Sequence, residues 1–284
     1  MKPKAISYSI FNANDSHEFY SYLRGLWLNM RLNRLIYPTW TTVVIADDSV
    51  INSRFSPLIK WMEQQADVKV YPFPYGQPLC RAMLQRMAVP FISGKDGWEY
   101  SHVLFRDTDS IPTYREAQAV AVWLREGTTV HCITDSISHT IPLMGGMVGV
   151  RVDDFSFRMK ANSLSELLAK SKLGLDYNIK GTDQTFMNEV IWPEVSKHDS
   201  PSYTAHWIKG LVGGNQNSQY NYIEDIVLED VPLEYKELNL CCGHIGSAGY
   251  YSDELVRFLF KHDIYREQYL DIERQYPQLF YWNV

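Results

Sequence analysis

Three apolar runs in this chain each stop at aspartate, and that repetition constrains the fold more than any other feature. Residues 41–46 (TTVVIA) run into Asp47 and Asp48, residues 103–105 (VLF) into Arg106, Asp107, Thr108 and Asp109, and residues 129–133 (TVHCI) into Thr134 and Asp135. Short apolar runs of this kind read as strands buried on both faces, and helical periods lie between them. Alternating strands and helices imply a largely parallel sheet. In such a sheet ligands bind beyond the carboxyl ends of the strands, so parallel alignment gathers all three sets of carboxylates at one edge. Such a cluster repels itself unless a cation or hydrogen-bond donors occupy it. Taken singly, Asp47, Asp48 and Asp135 also suit the capping of turns and helices.

The remaining elements fit this frame. Residues 4–11 (KAISYSIF) alternate as a first strand, and Asn12, Asn14, Asp15 and Ser16 form a turn that caps a helix over 17–35. A short strand is expected at 68–71 and a helix at 79–89 carrying Arg81 and Arg86. Thr113 and Glu116 form a capping box that opens a helix to about Arg125, with Gly127 as its stop. Beyond Arg151 the alternation weakens. Ser163 and Glu166 cap a short helix, 182–191 suggests another, and 197–222 reads as a polar, Gly/Asn-rich loop or lid. Short strands at 223–228 and 237–241 and a helical end from Asp253 to about Tyr276 complete the pattern. The expected architecture is one α/β domain with a mostly parallel central sheet flanked by helices. Residues 1–135 form its Rossmann-like half and residues 136–284 its second half.

Composition narrows the function. The 284 residues are 45% hydrophobic and 21% charged, ordinary for a globular protein, which excludes a disordered or fibrous chain. With 27 basic against 33 acidic residues and no dense Lys/Arg block, a sequence-independent grip on nucleic-acid phosphates has little support. No apolar run is long enough to span a bilayer, and no continuous apolar signal segment opens the chain, so a soluble cytoplasmic protein is expected. The four cysteines show no zinc spacing. The 19 tyrosines and 8 tryptophans mostly fill cores, although carbohydrate sites use the same rings against the apolar face of a sugar.

Asp107 and Asp109 carry the chemistry. At a strand end, residues i and i+2 point the same way, so the two carboxylates can share Mg²⁺ or Mn²⁺ together with phosphate oxygens. Further along, residues 142–149 hold Gly145, Gly146 and Gly149, where backbone can approach a ligand closely or turn sharply. Asp183 and Gln184 stand at a helix start, where Asp183 also suits an N-cap. His244 lies among glycines in residues 239–250 (NLCCGHIGSAGY), and its neutral imidazole suits Mn²⁺.

In order, FRDTDS, DSISHTIPLMGGMVGVR and GTDQTFMNEVIWP resemble the nucleotide-sugar glycosyltransferases of the GT-A fold, especially bacterial and viral surface-glycan enzymes, over roughly residues 4–195. The resemblance implies a GT-A-like fold, with residues 1–135 as its nucleotide-sugar-binding half and residues 136–284 as its acceptor and catalytic half. It implies Mn²⁺ or Mg²⁺ held by Asp107, Asp109 and His244 on the donor diphosphate, with Asp109 the direct ligand and Asp107 reaching the ribose or the metal. Phe11, Asn12 and Asp48 would line the base pocket, and Arg81 would lie near the donor. Gly145 and Gly146 would floor the transferred sugar, with Asp135 and His139 at its edge. Asp183 would bind sugar or acceptor hydroxyls while Gln184 faces the anomeric carbon of a retaining transferase; the competing assignment makes Asp183 a general base and the reaction inverting. A uridine diphosphate sugar is the favoured donor, and a glycan or other hydroxyl compound the acceptor. The alternatives are transfer to a hydroxylated base in DNA, which the acidic balance weighs against, a haloacid-dehalogenase-type phosphatase, in which the D-x-D follows the first strand, and an inactive sugar- or nucleotide-binding module.

Overall fold

A computed structural model describes residues 2–136, 141–195, 202–204, 220–222, 261, 263 and 266–280. The chain opens with β1 (Lys4–Ile10), α1 (His17–Ile36), β2 (Trp40–Asp47), α2 (Asp48–Ile51), α3 (Ser56–Glu63) and β3 (Val68–Phe73). α4 (Leu79–Met83) runs into a 3-10 helix (Leu84–Phe91), then a small hairpin of β4 (Ser93–Gly94) and β5 (Gly97–Trp98), then β6 (His102–Phe105), α5 (Tyr114–Glu126) and β7 (Val130–Thr134). The second half holds β8 (Val148–Arg151), α6 (Val152–Met159), α7 (Leu164–Leu168), α8 (Thr182–Phe186), a π-helical turn (Met187–Ile191), α9 (Trp192–Val195), β9 (Ser202–Thr204) and β10 (Tyr220–Tyr222). Helices Arg266–Gln275 and Pro277–Phe280 follow.

Among the described residues, eight strands form one sheet in the order β10-β9-β7-β8-β6-β1-β2-β3. All neighbouring pairs are parallel except those of β8, which runs antiparallel to both β6 and β7. The expected mostly parallel, helix-flanked α/β architecture is therefore present. Both faces of the sheet are covered. Ile6, Tyr8 and Ile10 of β1 pack with Leu23, Leu26 and Trp27 of α1 on one side, while Ala5, Val43, Val103 and Phe105 pack with Met87, Phe155 and Phe186 on the other. No helix among the described residues is long and apolar enough to cross a membrane.

Local sequence explains the boundaries. Ser16 caps α1 by accepting from the Phe19 amide at 3.1 Å. Thr113 caps α5 by accepting from the Glu116 amide at 3.1 Å, and Gly127 ends it at φ +71. The Glu116 carboxylate does not complete the box; it takes Arg106 Nε at 2.6 Å and the Tyr37 hydroxyl at 3.1 Å. The expected helix over 79–89 is α-helical only to Met83, because Pro90 removes a donor and the chain tightens into 3-10 geometry before it. Within 182–195 the π turn immediately precedes Trp192 and Pro193. The segment read as a loop over 197–222 contributes β9 and β10 to the sheet, which corrects that reading for those residues. The rest of it, the strands expected at 223–228 and 237–241, and the first part of the expected C-terminal helix lie outside the described residues.

The C-terminal helix Arg266–Gln275 is anchored to α1. Arg31 Nε donates to Asp263 at 2.9 Å and Arg31 Nη1 to Glu273 at 2.6 Å, and Trp27 Nε1 donates to the same Glu273 carboxylate at 2.9 Å. Tyr269 packs edge-on against Trp27 and beneath the Arg31 guanidinium.

Candidate active site

The carboxyl ends of β1 and β6 open into a cleft of ≈ 420 Å³ lined by Phe11, Asn12, Arg86, Asp107, Asp109 and Gln184, with Glu18 and Tyr22 of α1 on one wall and Lys180 on the other. Its position follows from the parallel alignment of β1 and β6, which brings the exits of both strands to the same edge.

The D-x-D turn is held from behind. Ser110 N–H donates to the Asp107 carbonyl at 3.2 Å, and Asn29 of α1, fully buried, donates Nδ2 to the Thr108 carbonyl at 2.8 Å. Gly25, one turn earlier, lies so close that an added Cβ would meet the Thr108 carbonyl oxygen at 2.2 Å. A side chain at 25 would thus displace the turn. Gly146 plays the same part on the opposite side, where a Cβ would fall 2.1 Å from Asp107 Oδ2. Gly145 faces Arg86 Nη2 at 2.7 Å and Asp183 Oδ2 at 3.1 Å, measured to its added Cβ. The two glycines therefore admit charged side chains close to the backbone.

Arg86 is the charge centre of this arrangement. Its side chain is 3% exposed, its Nη1 donates to Asp107 Oδ1, and its Nη2 lies 3.6 Å from Asp183 Oδ2. Among the described residues, Nε and Nη2 have no hydrogen-bond partner. A buried guanidinium with unmet donors on a cleft wall is ready to meet oxygen atoms of a ligand. Asp109 shows the opposite strain. Burial and the neighbouring Asp107 charge raise its carboxyl above the usual carboxylate value. Tyr22 is pushed up to about 12, first by burial and then by Asp109 and Glu18; its hydroxyl donates to Glu18 at 3.2 Å.

The donor set tests the expected cation. Asp107 and Asp109 are hard oxygen ligands on one strand exit, and the mutual repulsion felt at Asp109 is what a divalent ion would relieve. Among the described residues no group of three or more His, Cys, Asp or Glu is placed to hold a metal. Two carboxylates with phosphate oxygens fit Mg²⁺ or Mn²⁺ without a closed protein cage.

The other expected site residues divide clearly. Asn12 takes a left-handed backbone (φ +57) at the exit of β1, and its amide donates to Asp47 Oδ2 at 3.0 Å. Asp47 also caps α2 through the Val50 amide at 3.0 Å, so it is this buried carboxylate that shapes the β1 exit. Asp48 is exposed on α2 and is not among the residues lining the cleft. Arg81 is exposed on α4, its guanidinium 5.6 Å from the Tyr177 ring; the arginine in the cleft is Arg86. Asp135 is buried at the end of β7 and paired with Arg115. Gly181, at φ +91, occupies the N-cap of α8, so Asp183 is not that cap. Asp183 is buried against Arg86, while Gln184 lines the cleft. His139 and His244 lie outside the described residues. Arg86, Lys180, Gly25 and Asn29 were not among the expected site residues. Lys180 stands three residues before Asp183 and could have been noticed there, whereas nothing local marks Gly25 or Asn29.

No protein-family model matches the sequence, and no curated protein matches it. Among solved structures the chain is similar to S. aureus TarS 1-349, at 14% identity and a TM-score of 0.40, over 98% of this chain and 77% of that one. At that distance the site's own residues carry the functional reading.

Proposed function

We infer that this chain is a glycosyltransferase that moves a sugar from a nucleoside diphosphate sugar, with uridine as the favoured base, to a hydroxyl of a glycan or other acceptor. The observation that carries the reading is the convergence of Asp107, Asp109, Arg86, Lys180 and Gln184 on one cleft at the carboxyl edge of the sheet. Two carboxylates in a cleft suit a metal-bound diphosphate, and Arg86 and Lys180 add the cationic groups that its oxygens need.

Asp107 and Asp109 would hold Mn²⁺ or Mg²⁺. When bound, that ion supplies Lewis-acid neutralisation of the departing diphosphate. Phe11 and Asn12 flank the base end of the cleft. Gln184 reaches the cleft, whereas Asp183 is spent on Arg86, and a general base must come within hydrogen-bond reach of the acceptor hydroxyl. This contrast favours Gln184 as the group at the anomeric carbon and retention as the outcome, with Asp183 positioning Arg86.

The test is a thermal-shift panel of uridine, guanosine, cytidine and adenosine diphosphates, with and without Mn²⁺, on wild type and Asp109→Ala. The expected result is stabilisation by one diphosphate, only with metal and only in the wild type. No response to any nucleotide under any metal would sink the transferase reading.

A further inference from the structure

A second hollow lies on the other side of the molecule from the cleft. It measures ≈ 490 Å³ and is lined by Trp98 of β5, by Asp153, Ser156 and Phe157 of α6, and by Lys160 and Asn162 just beyond. Trp98 precedes β6, and α6 follows β8 directly, whose last residue Arg151 pairs with His102, the first residue of β6. The hollow therefore sits at the amino-terminal edge of β6, while Asp107 and Asp109 follow its other end. Four residues of strand put about 13 Å of sheet between them.

Two side chains there have no explanation in folding. Helix α6 buries Val152, Phe155, Ser156 and Met159 against the core, yet Phe157, on its outer face, is an aromatic ring 82% exposed to water. Ser156 is only 8% exposed, and its Oγ has no hydrogen-bond partner among the described residues although the residue lines the same hollow. Burial of an unmet hydroxyl costs stability that a ligand's hydrogen bond would recover.

The chemistry of the lining selects the ligand class. Asp153 is already paired with Lys2 Nζ at 3.5 Å, which leaves it a weak site for a cation, and its charge opposes a phosphate at Lys160. Two rings among four polar side chains make too small an apolar area for a stable protein interface. A neutral saccharide fits: its C–H face lies on an aromatic ring while its hydroxyls donate to a carboxylate, accept from an ammonium, and exchange hydrogen bonds with an amide and a hydroxyl. Lys160 helps by ending α6 in a left-handed conformation (φ +46), which turns Ala161 and Asn162 back along the hollow. We propose that the hollow between Trp98 and Phe157 is a carbohydrate-binding site, separate from the D-x-D cleft, that holds a neutral glycan. It does not depend on the transferase reading.

The test is a glycan microarray of neutral and charged oligosaccharides probed with the full chain, followed by titration calorimetry with the best-bound member on wild type, Phe157→Ala, Trp98→Ala and Asp109→Ala. Binding of a neutral oligosaccharide, weakened roughly tenfold or more by Phe157→Ala and by Trp98→Ala and unchanged by Asp109→Ala or by added nucleoside diphosphate, is expected. Phe157 is exposed, so its variant should keep the wild-type melting temperature. Three results overturn the proposal: no neutral glycan bound, binding that survives both aromatic variants, or binding lost in Asp109→Ala. Self-association that Phe157→Ala abolishes, seen by light scattering without glycan binding, would reassign the ring to an interface between copies.

Discussion

Replacing Gly25 by alanine sets two opposed effects against each other. In an exposed helix interior the change stabilises by about 1 kcal/mol, because alanine restricts the unfolded chain and favours the helix. In α1 the new Cβ would stand 2.2 Å from the Thr108 carbonyl oxygen, 3.0 Å from its carbon and 3.2 Å from the Asp109 Cα. Ordinary contact requires the turn to retreat by roughly 1 Å. Overpacking of this kind costs about 1–3 kcal/mol, and loosening the Asn29 bond to the same carbonyl adds about 0.5–1.5 kcal/mol. The losses exceed the gain, so Gly25→Ala should be less stable by about 1–3 kcal/mol in urea unfolding. Because the atoms that move are those of the D-x-D turn, metal-dependent nucleotide stabilisation should fall further than global stability does. Gly174, where a Cβ meets nothing within 4 Å, serves as the control and should tolerate alanine. A Gly25→Ala chain more stable than wild type, with its nucleotide response intact, would refute the argument.

Three further outcomes follow from the same structure. The carboxyl of Asp109 is raised in the folded chain, so the folded state holds that proton more tightly than the unfolded one, and the associated stability is lost as pH rises through the folded value. Asp109→Asn should accordingly melt a few degrees above wild type at neutral pH in EDTA while losing the metal-dependent nucleotide response; a lower melting temperature would count against carboxylate repulsion at the site. His102, lowered from 6.5 to about 4 by burial and then by Lys4 and Arg151, stays neutral in the folded chain while the unfolded chain takes up a proton. Unfolding free energy should therefore fall as pH drops from about 6.5 to 4, with buried His131 adding to the slope, and His102→Gln should flatten it in a pH series of urea melts. Glu273→Ala removes one of the two buried carboxylates that hold Arg31 and the acceptor of Trp27 Nε1, and should cost about 3–5 kcal/mol by urea unfolding; a loss below 1 kcal/mol would mean that Asp263 alone suffices.

Much of the frame was legible because it is written in local pattern. Apolar runs gave the strands, Ser16 and Thr113 gave two helix starts, and the strand exits located Asp107 and Asp109. The antiparallel β8 was not legible, since residues 148–151 are apolar and small in either direction. Arg81 and Arg86 lie five residues apart on what reads as one helix. Which of them enters the cleft depends on the switch to 3-10 geometry before Pro90, and periodicity does not reveal that switch. Gly145 and Gly146 were recognised as places of close approach, but what approaches them is Asp107, Arg86 and Asp183. Contacts spanning 79 residues, such as Asn29 to Thr108, leave no mark on the segments that make them.

Helix α1 touches the D-x-D turn through Gly25 and Asn29 and the C-terminal helix through Trp27 and Arg31. Arg31 meets Glu273 across 242 positions of sequence. During synthesis the D-x-D turn thus leaves the ribosome long before the carboxylates that neutralise Arg31 exist. Until they arrive, the helix behind the turn carries an unneutralised cation, and Trp27, though packed on Trp61, lacks the Tyr269 ring and the Glu273 acceptor. A chain that ended before Asp263 would lack both carboxylates, so the helix that backs the D-x-D turn reaches its final environment only when the C-terminal segment docks.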